Sequence, residues 1–465
     1  MIRHPLFLAA VLSIAVCAQT AAARESAPPV GTPRPFALPA KQEFSLANGL
    51  AVTLVPFATV PKATLLVTVR TGNVADGSKT GLADLVAGLM KEGAGTRDTA
   101  GVARLAAEMG GGVGIGAGPD QMTVSLDVLA EHLPGGLALL ADVVRRPRLP
   151  AAELPRLKAD LKRQIAVERS QPQGIAGEAY AKLLWGDSVY GRGTPSDAVV
   201  DSMTIEDVRH FVKTEFGAAR THIFIAGRFD TALVEHTVRR LFGDWSAGPP
   251  PRHETVTGSR ARVVRLIDRP GAAQSTVILG LPVRMPGSPG FMRLSMANAL
   301  LGGSGLLSRL DQNLREEKGY TYGASSHISP NAGGAAWTLA TDVNAPDTAK
   351  AIAEIYRELA RLRTEPPPAA ELLRIRNFRA GNFVLGASSR GGLLGQLAFL
   401  DLHGLPDSWL TNYVQRLGEV TPESLRDAAA ESLDPAAMTL VVVGDLAKIR
   451  QSLQDLEALK GAEFR

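Results

Sequence analysis

The chain has 465 residues, of which 45% are hydrophobic and 21% charged, and this length exceeds what one hydrophobic core usually organises. Two or more domains are therefore expected. Fifty Lys and Arg residues against 46 Asp and Glu leave a net charge of +4. A charge spread so thinly does not make a phosphate-binding surface, which argues against nucleic acid as a partner.

The first 23 residues have the layout of a secretory signal peptide. Arg3 and His4 precede an apolar run at 6–16, and three alanines end at Ala23, after which we expect cleavage. The run is too short to span a membrane, and no later segment offers about eighteen uncharged apolar residues. We therefore expect a secreted protein without a transmembrane segment, located in the periplasm of a Gram-negative-type cell.

The only cysteine, Cys17, lies inside this signal segment. Val16 before it is a poor match to the small residue that lipoprotein processing prefers, so cleavage rather than lipidation is expected. The exported chain would then contain no thiol. That excludes disulfides, cysteine-bound zinc and thiol nucleophiles.

Strand and helix signals alternate after a proline-rich, flexible lead-in at 24–40. Strands are predicted on both sides of an Asn48-Gly49 turn, and then at 63–71 and 122–128. The helical patterns are at 81–91, 99–109, 134–146 and 151–170. This mixture favours an α+β fold with helices packed on one face of a sheet.

An internal repeat supports two domains. Residues 203–227 align without a gap with residues 420–444, and both copies pass from a helix to an apolar strand. Thr204 and Thr421 can each cap the helix that follows.

The repeat sets the domain organisation. Two similar domains are expected at 41–247 and 263–465, each of a usual domain size. Gly248 and three prolines open the segment 248–262, which is expected to be a stiff, solvated linker.

The segment Gly81–Met90 resembles the helix in which M16 (insulinase/pitrilysin) metallopeptidases carry the zinc motif H-x-x-E-H. Weaker matches follow in the same order and spacing along nearly all of the mature chain, at 133–150, 190–191, 203–230, 300–323 and 420–445. The resemblance, of the M16B type, implies two homologous domains. Each would be a mainly antiparallel sheet packed with helices, and together they would form half of a clam-shell.

The same resemblance indicates that the zinc site is degenerate. In the family two His bind zinc, the Glu between them is the general base, and a distant Glu completes the metal shell. The corresponding positions here are Asp84, Ala87, Gly88 and, for the distant ligand, Gln164, so no bound metal is expected. The eight His residues are scattered without an i, i+4 pair. Glu168 is open to two interpretations, a shifted ligand or a solvated carboxylate.

A second family motif is retained at 314–323. The resemblance implies that Arg315 and Tyr322 bind substrate, because in the family these residues lie opposite the zinc helix and hydrogen-bond the peptide near the scissile carbonyl. A structural alternative stays open for both. Arg315 can form a surface ion pair with a neighbouring Glu, and Tyr322 can fill a strand face.

Two glycine-rich segments also allow more than one interpretation. The six glycines of 109–119 suit a strand edge that pairs with an extended peptide, or a flexible loop after a helix. Segment 301–306 lacks the Lys and the glycine spacing of a phosphate-binding loop. It is expected to be a helix-to-loop hinge, with a secondary role in admitting peptides implied by the resemblance.

These observations predict a non-catalytic subunit of a secreted M16-like zinc metallopeptidase. A homologous H-x-x-E-H subunit would form a heterodimer with this chain and hold the zinc. This chain would bind no cofactor, would not be an enzyme alone, and would supply chamber wall and substrate-binding residues for hydrolysis of peptides or unfolded polypeptides. The alternative is an M16-fold scaffold or peptide-binding protein with no proteolytic role. A self-sufficient hydrolase lacks a nucleophile or base constellation.

Overall fold

The structure, a computed structural model, describes residues 36–57, 59–252 and 254–465, which belong to one compact unit. The expected signal peptide, Cys17 and most of the lead-in lie outside the described residues. At the end of the lead-in, Phe36 and Leu38 pack against the core of the second half of the chain. The rings of Phe36 and Phe383 are 4.9 Å apart.

Strands and helices alternate along the chain as the sequence predicts. The strands are β1 Gln42–Ser45, β2 Ala51–Pro56, β3 Lys62–Val69, β4 Gly93–Ala94, β5 Arg97–Asp98, β6 Val113–Ala117, β7 Met122–Leu129, β8 Thr221–Gly227, β9 Val263–Asp268, β10 Gln274–Val283, β11 Thr321–Pro330, β12 Ala335–Asn344, β13 Thr439–Gly444 and β14 Glu463–Phe464. The helices of the first half are α1 Leu82–Met90, α2 Thr99–Glu108, α3 Leu133–Arg145, α4 Leu154–Ser170, α5 Pro172–Trp185, α6 Asp197–Ser202, α7 Ile205–Glu215 and α8 Thr231–Phe242.

The helices of the second half are α9 Phe291–Leu301, α10 Thr348–Thr364, α11 Ala369–Ala387, α12 Arg390–His403, α13 Ser408–Thr411, α14 Tyr413–Glu419, α15 Pro422–Ser432 and α16 Leu446–Gln454. A π-helix, Asp311–Glu317, precedes β11. Across the ranges that the structure describes, no helix is both long and apolar enough to cross a membrane.

The first half builds one six-stranded sheet in the order β1-β2-β8-β3-β7-β6. Neighbouring strands are antiparallel except β2 and β8. The predicted Asn48-Gly49 turn joins β1 to β2, and Gly49 adopts a φ of +90°, a conformation that favours glycine. The Asn48 amide donates to the carbonyls of Phe242 and Trp245 at 2.8 and 2.9 Å, which fixes the turn on the end of α8.

The second half repeats this arrangement in a sheet of order β11-β12-β10-β13-β9-β14. In both halves a threonine caps the helix that precedes the apolar strand. The hydroxyls of Thr204 and Thr421 accept the N–H of Asp207 and Ser424 at 3.2 and 3.1 Å, in two capping boxes. The predicted repeat and the mainly antiparallel α+β fold are therefore confirmed.

Each sheet is also covered by a helix from the other half of the chain. Helix α5 places Tyr180 and Trp185 in an apolar cluster with Ile278, Val441 and Val443 of the second sheet. Helix α12 packs in return on β3 and β8 of the first sheet. The expectation that helices cover only one face was therefore wrong. Strand β13 is buried along its whole length because both of its faces are covered.

A polar contact fixes α12 on the first sheet. Nη2 of Arg70 and Nδ1 of His222 lie 2.9 and 3.0 Å from the two carboxylate oxygens of Asp401. Burial alone would raise the pKa of Asp401, but His222 and Arg70 hold it below its ordinary value. The other ring nitrogen of His222 lies 2.8 Å from the hydroxyl of Thr53, so the imidazole is held from both sides.

The predicted linker begins as a segment held by the first half. The side chain of Arg220, a residue only 3% exposed, donates to the carbonyls of Pro249 and Pro250 at 3.2 and 2.8 Å. The same guanidinium pairs with Glu215 at 2.5 Å, and Arg252 of the linker pairs with that carboxylate at 2.6 Å. Two of the prolines are thus hydrogen-bonded to a buried ion pair, while Pro250 is still exposed to solvent.

Candidate functional site

Helix α1 carries the positions of the degenerate zinc motif, and its side chains are those of a packed helix. Ala87 is 5% exposed and belongs to the first core. A Cβ added to Gly88 would lie 3.5 Å from the methyl groups of Leu157 on α4, so hydrocarbon bounds the space beside it. Asp84 is exposed to solvent. The helix therefore presents one carboxylate and no imidazole.

The distant ligand position adds no metal donor. Gln164 and Glu168 are both exposed on α4. In residues 36–57, 59–252 and 254–465, no group of three His, Cys, Asp or Glu side chains is placed to hold a metal ion. One carboxylate and one amide cannot form the three-ligand site that catalytic zinc requires. The residues present do not fit zinc, and the exposed Glu168 has the setting of a solvated carboxylate.

A buried carboxylate that the sequence analysis missed holds the N-terminus of α1. Asp76 is 4% exposed and accepts the N–H groups of Gly81 and Ala83 at 2.7 and 2.8 Å. Asn73 donates to Asp84 at 2.9 Å beside it. Burial raises the pKa of Asp76 to about 6 against the effect of the two N–H donors, and the charge of Asp84 adds to the rise.

This raised pKa predicts a pH-dependent stability. Since the ordinary value is 3.8, the carboxyl of Asp76 binds more protons in the folded than in the unfolded state between about pH 4 and 6. Its stabilising contribution is complete below that window and is lost as the pH rises through 6. We expect the Asp76 contribution to the free energy of unfolding to fall by up to about 3 kcal/mol. Urea unfolding of wild type and Asp76→Asn across the window measures it.

The control for this experiment is Asp98→Asn. Asp98 also holds a helix N-terminus, as the N-cap of α2 that accepts the N–H of Gly101 at 2.8 Å, but it is exposed. A change in the pH profile that Asp76→Asn causes and Asp98→Asn does not cause is specific to the buried carboxylate. Parallel profiles for wild type and Asp76→Asn would show that Asp76 does not titrate in the window.

The retained substrate motif begins on the π-helix. Arg315 has 42% of its side chain exposed, and its Nε lies 3.3 Å from Glu316, the ion pair that the alternative interpretation expects. A surface pair of this kind contributes about 1 kcal/mol or less, so it does not lock the guanidinium away from a ligand. The helix itself is fixed by the buried Leu314 and by Asn313, which donates to Glu358 at 2.9 Å.

Tyr322 lies at the start of β11 and is 88% exposed. The interpretation that it fills a strand face is therefore wrong. The π-helix packs against β11, and the N–H of Ala324 donates to Asp311 of that helix at 2.9 Å. The structure thus places Arg315 and Tyr322 on two contacting elements of the second half.

Two family models match the chain. The model described as insulinase (peptidase family M16) covers residues 52–194, and the one described as peptidase M16 inactive domain covers residues 202–378. This chain belongs to the M16 peptidase family. The family expected from the residues of α1 and of the segment 314–323 is confirmed.

Several relatives have been described as zinc proteases. An uncharacterized zinc protease of Mycobacterium leprae is 26% identical over 402 residues, which are 84% of this chain and 88% of the relative. An uncharacterized zinc protease of Mycobacterium tuberculosis is 25% identical over 92% of this chain and 98% of its own length. These alignments extend the likeness to proteins named zinc proteases over both halves of the chain.

Solved structures show the same fold. The crystal structure of a peptidase M16 inactive domain from Pseudomonas fluorescens superposes with a TM-score of 0.82 at 24% identity, covering 87% of this chain and 98% of that one. A protease from Helicobacter pylori superposes with a TM-score of 0.80 at 19% identity, covering 87% and 100%. These superpositions confirm the expected fold.

The glycine-rich segment after α2 is an open strand edge in this M16 chain. Residues 113–117 form β6, which pairs with β7 on one side. Within the described residues, no backbone group of 113–117 bonds to a partner on the other side. The flexible-loop interpretation is therefore wrong for these residues. The free N–H and C=O groups can pair with an extended peptide.

The second glycine-rich segment is a packed turn. Helix α9 ends at Leu301, and the carbonyl of Gly302 accepts the N–H of Ser326 on β11 at 3.0 Å. A Cβ on Gly302 would lie 2.7 Å from the Ser326 hydroxyl, so this contact requires glycine. The helix-to-loop prediction is confirmed, and hinge motion stays a prediction. The turn bonds to the edge of β11 at Ser326, in contrast to the open edge of β6.

Proposed function

We propose that this chain is the non-catalytic subunit of a secreted, periplasmic M16 zinc metallopeptidase, and that it forms a heterodimer with a zinc-bearing homologue. The observation that carries the proposal is a contrast between its two halves. The zinc-motif positions hold no metal donor set, whereas Arg315 and Tyr322 are presented to solvent. A chain that had merely lost activity has no need to keep two such side chains exposed.

The proposed contribution of this chain is hydrogen bonding to the substrate. The partner's zinc would activate the attacking water. The guanidinium of Arg315 and the phenol of Tyr322 would donate to the carbonyl oxygen of the scissile bond. Such donors act most strongly on the negative charge that develops in the transition state, so they would raise the rate more than the binding affinity.

The substrate class follows from the open edge of β6. Backbone pairing with an edge strand needs an extended chain and makes few demands on side chains. Peptides and unfolded polypeptides meet that requirement, whereas a folded protein presents few free strands. This chain would therefore supply part of the wall that holds such substrates, together with its two donors.

Co-expression with a homologue that carries H-x-x-E-H and its own signal peptide tests the proposal. We expect each chain alone to leave an unfolded polypeptide intact, and the mixture to cleave it until a chelator is added. The control is a mixture in which the partner's motif Glu is replaced by Gln. Cleavage by this chain alone that a chelator abolishes would refute the proposal. Peptide binding without any effect on cleavage would favour the scaffold alternative.

A further inference from the structure

The strand that carries Tyr322 contains a β-bulge at that residue. Thr321 pairs with Val343 of β12, whereas the next pair joins Ala324 to Thr341. Two residues of β11, Tyr322 and Gly323, therefore lie opposite a single residue of β12. An extra residue of this kind shifts the register of everything on one side of it.

The bulge determines which way Tyr322 points. Beyond it, Ala324 and Ser326 face the core and are 2% and 3% exposed. Unbroken alternation would bring residue 322 to that buried face and residue 321 to solvent. The extra residue reverses this, so that Thr321 is 9% exposed and Tyr322 is 88% exposed. Without the bulge, the phenol would be in the core.

A small hydrogen-bond network holds the bulge. The hydroxyl oxygens of Thr321 and Thr341 lie 3.0 Å apart, and each is 2.9 Å from the carbonyl oxygen of Gly323. The N–H of Gly323 donates to the Thr321 hydroxyl at 3.1 Å. These side chains satisfy backbone groups that the interrupted ladder leaves unpaired, which would otherwise be costly next to a core.

The network extends to the helix that bears Arg315. The N–H of Ala324, the first residue after the bulge, donates to Asp311 at 2.9 Å. Asp311 opens the π-helix, a rare form that is frequent at functional sites. One carboxylate therefore connects the backbone of the Tyr322 strand to the helix of Arg315.

We propose that Thr321, Thr341 and Asp311 are positioning residues that hold the bulge and present Tyr322 and Arg315 together to the substrate. This inference rests on the proposed function for its catalytic consequence. Its structural part, that these residues keep the Tyr322 phenol accessible to solvent, can be measured on this chain alone.

The test uses Thr341→Val, which removes the hydroxyl and keeps the shape. Hydroxyl-radical footprinting of this chain alone should show Tyr322 losing its accessibility, with restoration in Thr341→Ser. In the assembled pair, kcat should fall about 10-fold, as for other residues that orient an active group, and KM should change little. If Thr341→Val does not fold, Thr321→Val removes the paired hydroxyl and is read in the same way.

The matched control is Thr68→Val. Thr68 is a strand threonine, 1% exposed, whose hydroxyl has no hydrogen-bond partner among the described residues. This variant should leave the footprint of Tyr322 and the kcat unchanged. Wild-type accessibility of Tyr322 in Thr341→Val would overturn the inference. An unchanged kcat in Thr341→Val would also overturn it, provided that Tyr322→Phe slows turnover. Unchanged kcat in Tyr322→Phe itself would instead count against the proposed function.

Discussion

Replacing Tyr322 with Phe in this chain is expected to lower the kcat of the assembled peptidase by about 100-fold, with little change in KM. The variant removes one hydroxyl from a side chain that is 88% exposed. Folding and packing should therefore be unaffected. An effect on turnover would come from the lost hydrogen-bond donor.

Arg315→Ala should act in the same direction and with a similar size. Its ion pair with Glu316 is exposed at both side chains, at 42% and 60%, so breaking that pair costs little stability. The guanidinium is instead expected to act on the substrate carbonyl beside Tyr322. Because both donors would serve one oxygen, the double variant should lose less than the product of the two single losses.

Steady-state kinetics with saturating partner measure both effects, and gel filtration checks that the pair still assembles. The control is Arg450→Ala, since Arg450 is an exposed arginine on α16, outside the proposed substrate site. This variant should retain wild-type turnover. Wild-type kinetics for Tyr322→Phe and Arg315→Ala in an intact pair would show that neither residue acts on the substrate.

Local sequence signals were sufficient to predict the internal repeat and the family. The capping residues Thr204 and Thr421 act within three residues of themselves, so their boxes can be predicted from neighbouring positions. The loss of the zinc site could also be predicted, because it depends only on which side chains occupy the positions Asp84, Ala87, Gly88 and Gln164.

Long-range pairings could not be predicted in this way. Asp401 meets Arg70 across 331 positions of sequence, and no local pattern marks α12 as the cover of the first sheet. The orientation of Tyr322 depends on a single inserted residue in β11. If the side chains of β11 alternated regularly between the two faces of the sheet, the phenol of Tyr322 would be buried. The packing of α12 and the orientation of Tyr322 both depend on contacts between distant segments, which the pattern of a single segment does not predict.

The largest loss of stability is expected from Arg220→Met. Arg220 is 3% exposed and pairs with Glu215, which is 7% exposed. Removing the guanidinium leaves a carboxylate in a buried setting, which typically costs about 3 to 5 kcal/mol. The carbonyls of Pro249 and Pro250 lose their donor as well, so the start of the linker should loosen from the first half.

Urea unfolding of this chain alone measures the loss, and Arg252→Met is the matched control. Arg252 contacts the same carboxylate at 2.6 Å, but 53% of its side chain is exposed, so we expect a loss of about 1 kcal/mol or less. The double variant Arg220→Met, Glu215→Leu should recover part of the loss, because the buried carboxylate is then removed together with its buried partner. A loss below about 1 kcal/mol for Arg220→Met would mean that Arg252 alone neutralises Glu215, and that the buried guanidinium is dispensable.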